Sequence, residues 1–201
     1  MKRSLINMLF GASLFTGSLG FNSCNEKSQT KQIENKEKSG EDTLLKTAGN
    51  SYYKGEYNSA KEIYSKFLEI KKNKNDSLGI AKGFQGLGVI FGVQGKYDEA
   101  AKNYINALRI YENLQDSSGI SKISNILGMI FDKQDKNEIA LEYYNKSLDI
   151  TKNLNDSLGV SQTLNNIAII FDKQNKYEQA LIYSFSSLKI ANKIKDKFQE
   201  A

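Results

Sequence analysis

Three amides recur at an interval of 40 residues, Gln85, Asn125 and Asn165, and an apolar residue follows each by four, at Val89, Met129 and Ile169. Residues four apart share one face of a helix, so each amide has an apolar neighbour. An amide side chain both donates and accepts, so it can bond an extended peptide backbone whatever its sequence. The apolar column can then hold alternate side chains. The same faces carry Lys82, Lys122 and Gln162 before the amides, and Gly92, Asp132 and Asp172 after the apolar residues. The lysines favour an acidic partner and the aspartates oppose one. The plainer account of all these positions is a polar helix face turned to water.

Catalytic chemistry is poorly supplied. The 201 residues include no histidine and one cysteine, Cys24. That removes Ser–His and Cys–His nucleophile pairs and every histidine metal ligand. Gly83, Gly86, Gly88 and Gly92 do not make a dinucleotide-binding fingerprint, because its third glycine would fall on Phe91. Gly95 and Lys96 do not make a phosphate loop either, since the leading glycine would fall on Ile90. Asp132 and Asp172 stand one period apart, on separate repeats, which is how a repeat and not an acid–base pair would place them. The chain reads as a non-enzyme with no cofactor and no metal.

What positions the amides is the repeat itself. Asp76, Asp116, Asp156 and Asp196 are 40 residues apart, and the columns Ser77/117/157, Gly79/119/159, Phe91/131/171, Gln94/134/174, Ala100/140/180 and Leu108/148/188 return with them. A period of this size marks supersecondary units that bury their apolar faces only by stacking on one another. Within a unit, Asp76 and Ser77 can cap the following helix. That helix presents Ile80, Phe84, Leu87, Gly88 and Phe91 at helical spacing. Gly95 turns the chain, and a second helix presents Tyr97, Ala100, Tyr104, Ala107, Leu108 and Tyr111. The small columns Gly88/Gly128/Ala168 and Ala100/Ala140/Ala180 let the two helices approach closely. A first unit begins near Glu41, with Leu44, Leu45, Ala48 and Tyr52 on one face and a turn at Gly55 read as one residue shorter than its successors. The expected fold is all-α, a right-handed solenoid of antiparallel helix hairpins, with units at about 42–75, 76–115, 116–155 and 156–195.

The run Gly88, Phe91, Gly95, Lys96, Tyr97, Ala100, Tyr104, Ala107, Leu108 resembles a tetratricopeptide repeat. The 40-residue spacing resembles the variant of kinesin light chains and of peptide-sensing bacterial regulators. The resemblance covers Asp42 to the C-terminus. The pattern is departed from at Asn137, in place of the turn tyrosine, and at Ser184, in place of the second-helix tyrosine, and the usual terminal proline is missing throughout. The resemblance implies peptide binding in the concave groove, with Asn125, Asn165 and Asn166 as the asparagines that match.

The first residues read as an address. Lys2 and Arg3 precede an apolar run from Leu5 to Phe21, 17 residues interrupted by Gly11, Gly17 and Gly20, which is short for a membrane span. With Ser23 just before Cys24, the segment resembles a bacterial lipoprotein signal, in which the cysteine becomes the lipidated first residue. Phe21 and Asn22 depart from the usual box, and ordinary secretory cleavage or an uncleaved anchor are the alternatives. The expectation is a signal peptide over 1–23, lipidation at Cys24 and a membrane-anchored exported protein. The next stretch, 24–40, is polar, with Ile33 its one aliphatic residue, and should serve as a disordered tether reaching about 20–25 Å.

Charge excludes one more class. The chain carries 28 basic and 23 acidic residues, interspersed and without an arginine-rich or aromatic-basic patch, so nucleic acid is a poor partner. The sequence therefore points to a protein- or peptide-binding scaffold. The alternative is the sensory N-terminal region of a larger signalling protein, such as a histidine kinase or a helix-turn-helix regulator, because Asp196 is in phase to open a fifth unit.

Overall fold

The computed structural model describes Gly40 and residues 43–199, with side chains through Lys195. The export segment, Cys24 and nearly all of the tether lie outside the described residues. Contacts divide the chain at Asp42, and the unit beginning at Thr43 holds all the elements below.

Among the described residues eight helices follow one another from residue 43 on. They are α1 (43–53), α2 (Tyr57–Asn73), α3 (Ser77–Val93), α4 (Tyr97–Asn113), α5 (Ser117–Lys133), α6 (Asn137–Asn153), α7 (Ser157–Lys173) and α8 (Tyr177–Gln199). Odd and even helices pair as hairpins, α3 with α4, α5 with α6 and α7 with α8, and each even helix packs on the next odd one. The hairpins thus stack in sequence order, an all-α solenoid with no strand among the described residues. The odd helices α5 and α7 also touch one another directly, which sets the odd helices along the inner side of the stack.

Local chemistry writes this pattern. Every odd helix after the first is capped by aspartate: Asp76, Asp116 and Asp156 accept from the amides of Gly79, Gly119 and Gly159 at 2.9, 2.9 and 3.0 Å. This satisfies one of the orphan donors at each helix start. At Asp76 a hydrogen bond from Lys71, whose Nζ lies 2.8 Å from Oδ2, together with the Gly79 amide holds the carboxyl below its ordinary value.

The connections are equally regular. The amide of Gly95 donates to the Gly92 carbonyl and that of Lys96 to the Phe91 carbonyl, at 3.1 and 2.9 Å, the paired bonds of a Schellman close. The same pair recurs after α1, α2, α4, α5, α6 and α7. Each close needs one left-handed residue. Gly55 and Gly95 supply it, and so do Asn75, Gln115, Asp135, Asn155 and Asn175 with φ of 52–59°, mostly the residue types that tolerate it. This is how the helices stop without any proline. The first turn proves no shorter than the others: residues 54–56 join α1 to α2 just as 94–96 join α3 to α4.

The packed face of α3 sits beside the expected one. Gly79, Ala81, Gly83, Gly86, Leu87, Gly88 and Ile90 are buried, whereas Ile80, Phe84 and Phe91 are half-buried. The reason is that α3 packs on α2 and α4 together, so its buried surface covers two stripes, and the α2 side is lined with glycine. A methyl placed on Gly86 would stand 2.3 Å from the Tyr64 ring. The phenylalanine column lies at the turn end of each hairpin instead. Phe131 stacks on Tyr143 and Phe171 on Tyr183, with ring centroids 5.4 and 5.3 Å apart, and Lys136 and Lys176 sit 5.8 Å over the phenylalanine rings.

The last helix breaks the pattern. α8 runs on through Asp196 to Gln199, although Asp76, Asp116 and Asp156 each mark a turn. The Ser-x-Gly run after those aspartates, which supplies the capped amide, is replaced by Lys197-Phe198-Gln199, so the residues that would end one helix and start another are not there.

Candidate peptide groove

The odd helices bring the expected site residues onto one inner surface, but in two different states. Lys82, Lys122, Gln162, Asn165 and Asp172 are exposed. Met129 and Ile169 are also open, at 46% and 43% of their full surface, too exposed for core positions. Val89 is half-buried and packs against the core formed around Tyr104 and Leu127.

The remaining amides are used within the packing, Asn125 between two hairpins and Gln85 between the two helices of one. The Asn125 carbonyl oxygen accepts from Asn166 Nδ2 at 3.1 Å and lies 3.4 Å from the Thr163 hydroxyl oxygen, both on α7. The Gln85 carbonyl oxygen accepts from the Tyr111 hydroxyl on α4 at 3.3 Å. Asp132 is half-buried and pairs with Lys173 across the repeat boundary at 2.6 Å. Thus of the amide column Asn165 alone stands open to solvent. These contacts use the Asn125 oxygen and not its NH2 group.

A further set of polar contacts had no counterpart among the expected site residues. Ser161 and Ser187 exchange hydrogen bonds between α7 and α8, with Ser187 Oγ donating to the Ser161 carbonyl at 2.8 Å. The Thr151 hydroxyl caps carbonyls within α6, and Thr163 bonds the Gly159 carbonyl at 2.8 Å. The signal lies in the columns: positions 81, 121 and 161 read Ala, Ser, Ser, while 107, 147 and 187 read Ala, Ser, Ser as well.

The last hairpin carries an opening on this surface. A cleft of about 370 Å3 lies between α7 and α8, lined by Asn165, Ile169 and Asp172 on one side and Tyr177, Leu181 and Ser184 on the other, with Ala168 and Ala180 at its floor. Among the described residues no cluster of three His, Cys, Asp or Glu side chains could hold a metal, and no helix is long and apolar enough to cross a membrane.

Stacked hairpins of 40 residues with small residues at their crossings define a helical-repeat scaffold. The family model for the tetratricopeptide repeat matches residues 79–153 and again 119–193, together more than half of the 201 residues, and the chain belongs to that family. A search of curated proteins finds no match. Among solved structures the chain is similar to BtubC (BKLC) from P. vanneervenii, at 20% identity and a TM-score of 0.71 over 77% of this chain and 64% of that one. It is similar to aspartyl phosphate phosphatase F from Bacillus subtilis, at 16% identity and a TM-score of 0.74 over 79% and 42%. It is also similar to MamA, at 19% identity and a TM-score of 0.62 over 83% and 86%. The chain therefore spans less than two thirds of the first two of these proteins, and at such identities the likeness is one of fold.

Proposed function

We propose that this protein is a non-enzymatic scaffold whose inner surface holds an extended segment of a partner protein. The observation that carries the reading is the pair Asn165 and Ile169. An amide and an aliphatic side chain stand open on the inner face of α7, where nothing in the packing of the hairpins requires either. Met129 one repeat earlier continues the apolar track, and Lys122 and Gln162 flank it. Backbone bonding by the amides with side-chain pockets between them is the recognition mode such a surface suits.

The test separates recognition from folding. Peptides selected on the full chain from a displayed random library should bind Asn165→Ala about tenfold more weakly, the loss of one well-made hydrogen bond to a ligand. The melting temperature should not move, since Asn165 is exposed. Asn125→Ala should lower it, because that amide joins two hairpins. Unaltered peptide affinity in both Asn165→Ala and Ile169→Ala would remove the inner face of α7 from the site.

The same proposal places the protein at a membrane, exported and held by a lipid on Cys24. Support comes from Lys2 and Arg3, the apolar run that follows and the small residue Ser23. Labelled palmitate should enter the wild-type chain and not Cys24→Ser, and the variant should leave the membrane fraction. A wild-type chain that takes up no label contradicts the anchor.

A further inference from the structure

The cleft in the last hairpin exists because a ring is missing. Down the second helices one column reads Tyr64, Tyr104, Tyr144, Ser184, and the column facing it on the first helices reads Ala48, Gly88, Gly128, Ala168. In the second and third hairpins the tyrosine lies on the glycine of its own hairpin: a methyl on Gly88 would stand 2.9 Å from the Tyr104 ring, and one on Gly128 would stand 2.5 Å from the Tyr144 ring. Both tyrosines are almost wholly enclosed, at 3% and 2% exposure. In the fourth hairpin one methyl has been added, at Ala168, and a whole phenol ring removed, at Ser184. The void shows one helical turn away, where Ala180 is 8% exposed and its equivalents Ala60, Ala100 and Ala140 are not exposed at all.

The rim is matched to what is absent. Burial raises the Tyr144 phenol far above its ordinary value, and the charge of Asp132 adds to the effect. Asp172 is the same column one repeat later and lines the empty cleft. Asp132 is already paired with Lys173, whereas Asp172 is exposed. Ile169 and Leu181 supply apolar walls, at 43% and 57% exposure.

We propose that this cleft receives a tyrosine side chain of the partner segment, its ring against Ala168, Ile169 and Leu181 and its hydroxyl donating to Asp172. The occupant is an unmodified tyrosine: a phosphotyrosine would bring two negative charges onto the Asp172 carboxylate and be turned away. The inference rests on the groove reading for the rest of the segment, with Asn165 beside the cleft to bond the backbone next to the ring. The two enclosed tyrosines, Tyr104 and Tyr144, are the template for its shape.

The side chain can be tested apart from the peptide, with p-cresol as the probe and the full chain as the protein. Saturable shifts of the Ala168 and Ser184 amide signals are expected with p-cresol. Toluene should bind about tenfold more weakly, for want of the hydrogen bond to a charged acceptor, and p-cresyl phosphate should cause no shift. Ala168→Gly with Ser184→Tyr rebuilds the pairing of the second and third hairpins, so it should raise the melting temperature and abolish p-cresol binding. Should that variant misfold, Asp172→Asn, at an exposed residue, should remove the preference for p-cresol over toluene. No saturable shift up to the solubility of the probe, or an unchanged preference in Asp172→Asn, overturns the proposal. A selected peptide that binds the refilled variant at wild-type affinity overturns it too, while leaving the groove intact. Cresol binding without any selected peptide would instead remove the groove and keep the cleft.

Discussion

Tyr144→Ala is expected to lower the unfolding free energy by about 3–5 kcal/mol, the range for deleting a large buried ring that its surroundings cannot collapse onto. Tyr144 is 2% exposed, among the largest fully buried side chains of the array, and its ring lies in the core formed with Ala140, Leu148, Leu164 and Ile167. Those residues belong to α6 and α7, so the loss falls on the hairpin and on its junction with the next. In a stack whose stability is a sum of units and interfaces, a weakened inner unit also uncouples the hairpins on either side. Urea unfolding should show a lower midpoint and a broadened or split transition. Ser184→Ala, one repeat later and exposed, should stay within about 0.5 kcal/mol of wild type. A midpoint for Tyr144→Ala as close to wild type as that would mean the ring is not seated as described.

Gly128→Ala has two opposed effects, and their sizes decide the sign. Alanine in a helix interior is favoured over glycine by about 1 kcal/mol. Against this, the new methyl would stand 2.5 Å from the Tyr144 ring carbons, and the ring is enclosed rather than free to swing into water. Overpacking a full core costs about 1–3 kcal/mol, so we expect net destabilisation. The partner substitution gives the sharper measurement. Gly128→Ala together with Tyr144→Ser copies Ala168 and Ser184 into the third hairpin, removing the clash along with the ring. The double variant should be more stable than the two single losses added together, by about 1 kcal/mol or more, the coupling expected of residues in contact. Strict additivity in thermal or urea unfolding would show that the two positions do not touch.

The columns that make this cycle possible were legible in the residues alone. Recurrence at 40 residues marks stacked hairpins because a single amphipathic hairpin cannot bury its own apolar faces. Aspartate with a glycine three residues later announces a capped helix, since the carboxylate needs an open backbone amide to receive. These are local, and local chemistry is written in local sequence. The closes were half-legible: Gly55 and Gly95 declare a left-handed residue, whereas Gln115 and Asp135 adopt the same conformation without declaring it.

The site was read less completely, and the reason is spatial. Gln85, Asn125 and Asn165 are one column in the sequence, and a column treats its members alike. Asn125 meets Asn166 and Thr163 from a helix about forty residues on, and Gln85 meets Tyr111 from the second helix of its own hairpin, so the first amide joins two hairpins, the second closes one, and Asn165 faces solvent. Likewise Ser184 is visible as a departure from the repeat, but its consequence depends on Ala168 across the hairpin and on how far the neighbouring side chains fail to fill the gap. The sequence by itself determined that the chain is a tetratricopeptide-type stack, because period, caps and small residues each act within a few residues of one another. Only the tertiary structure decided which polar groups are consumed between hairpins and where a ring-sized opening remains, because both depend on distances between residues far apart in the chain.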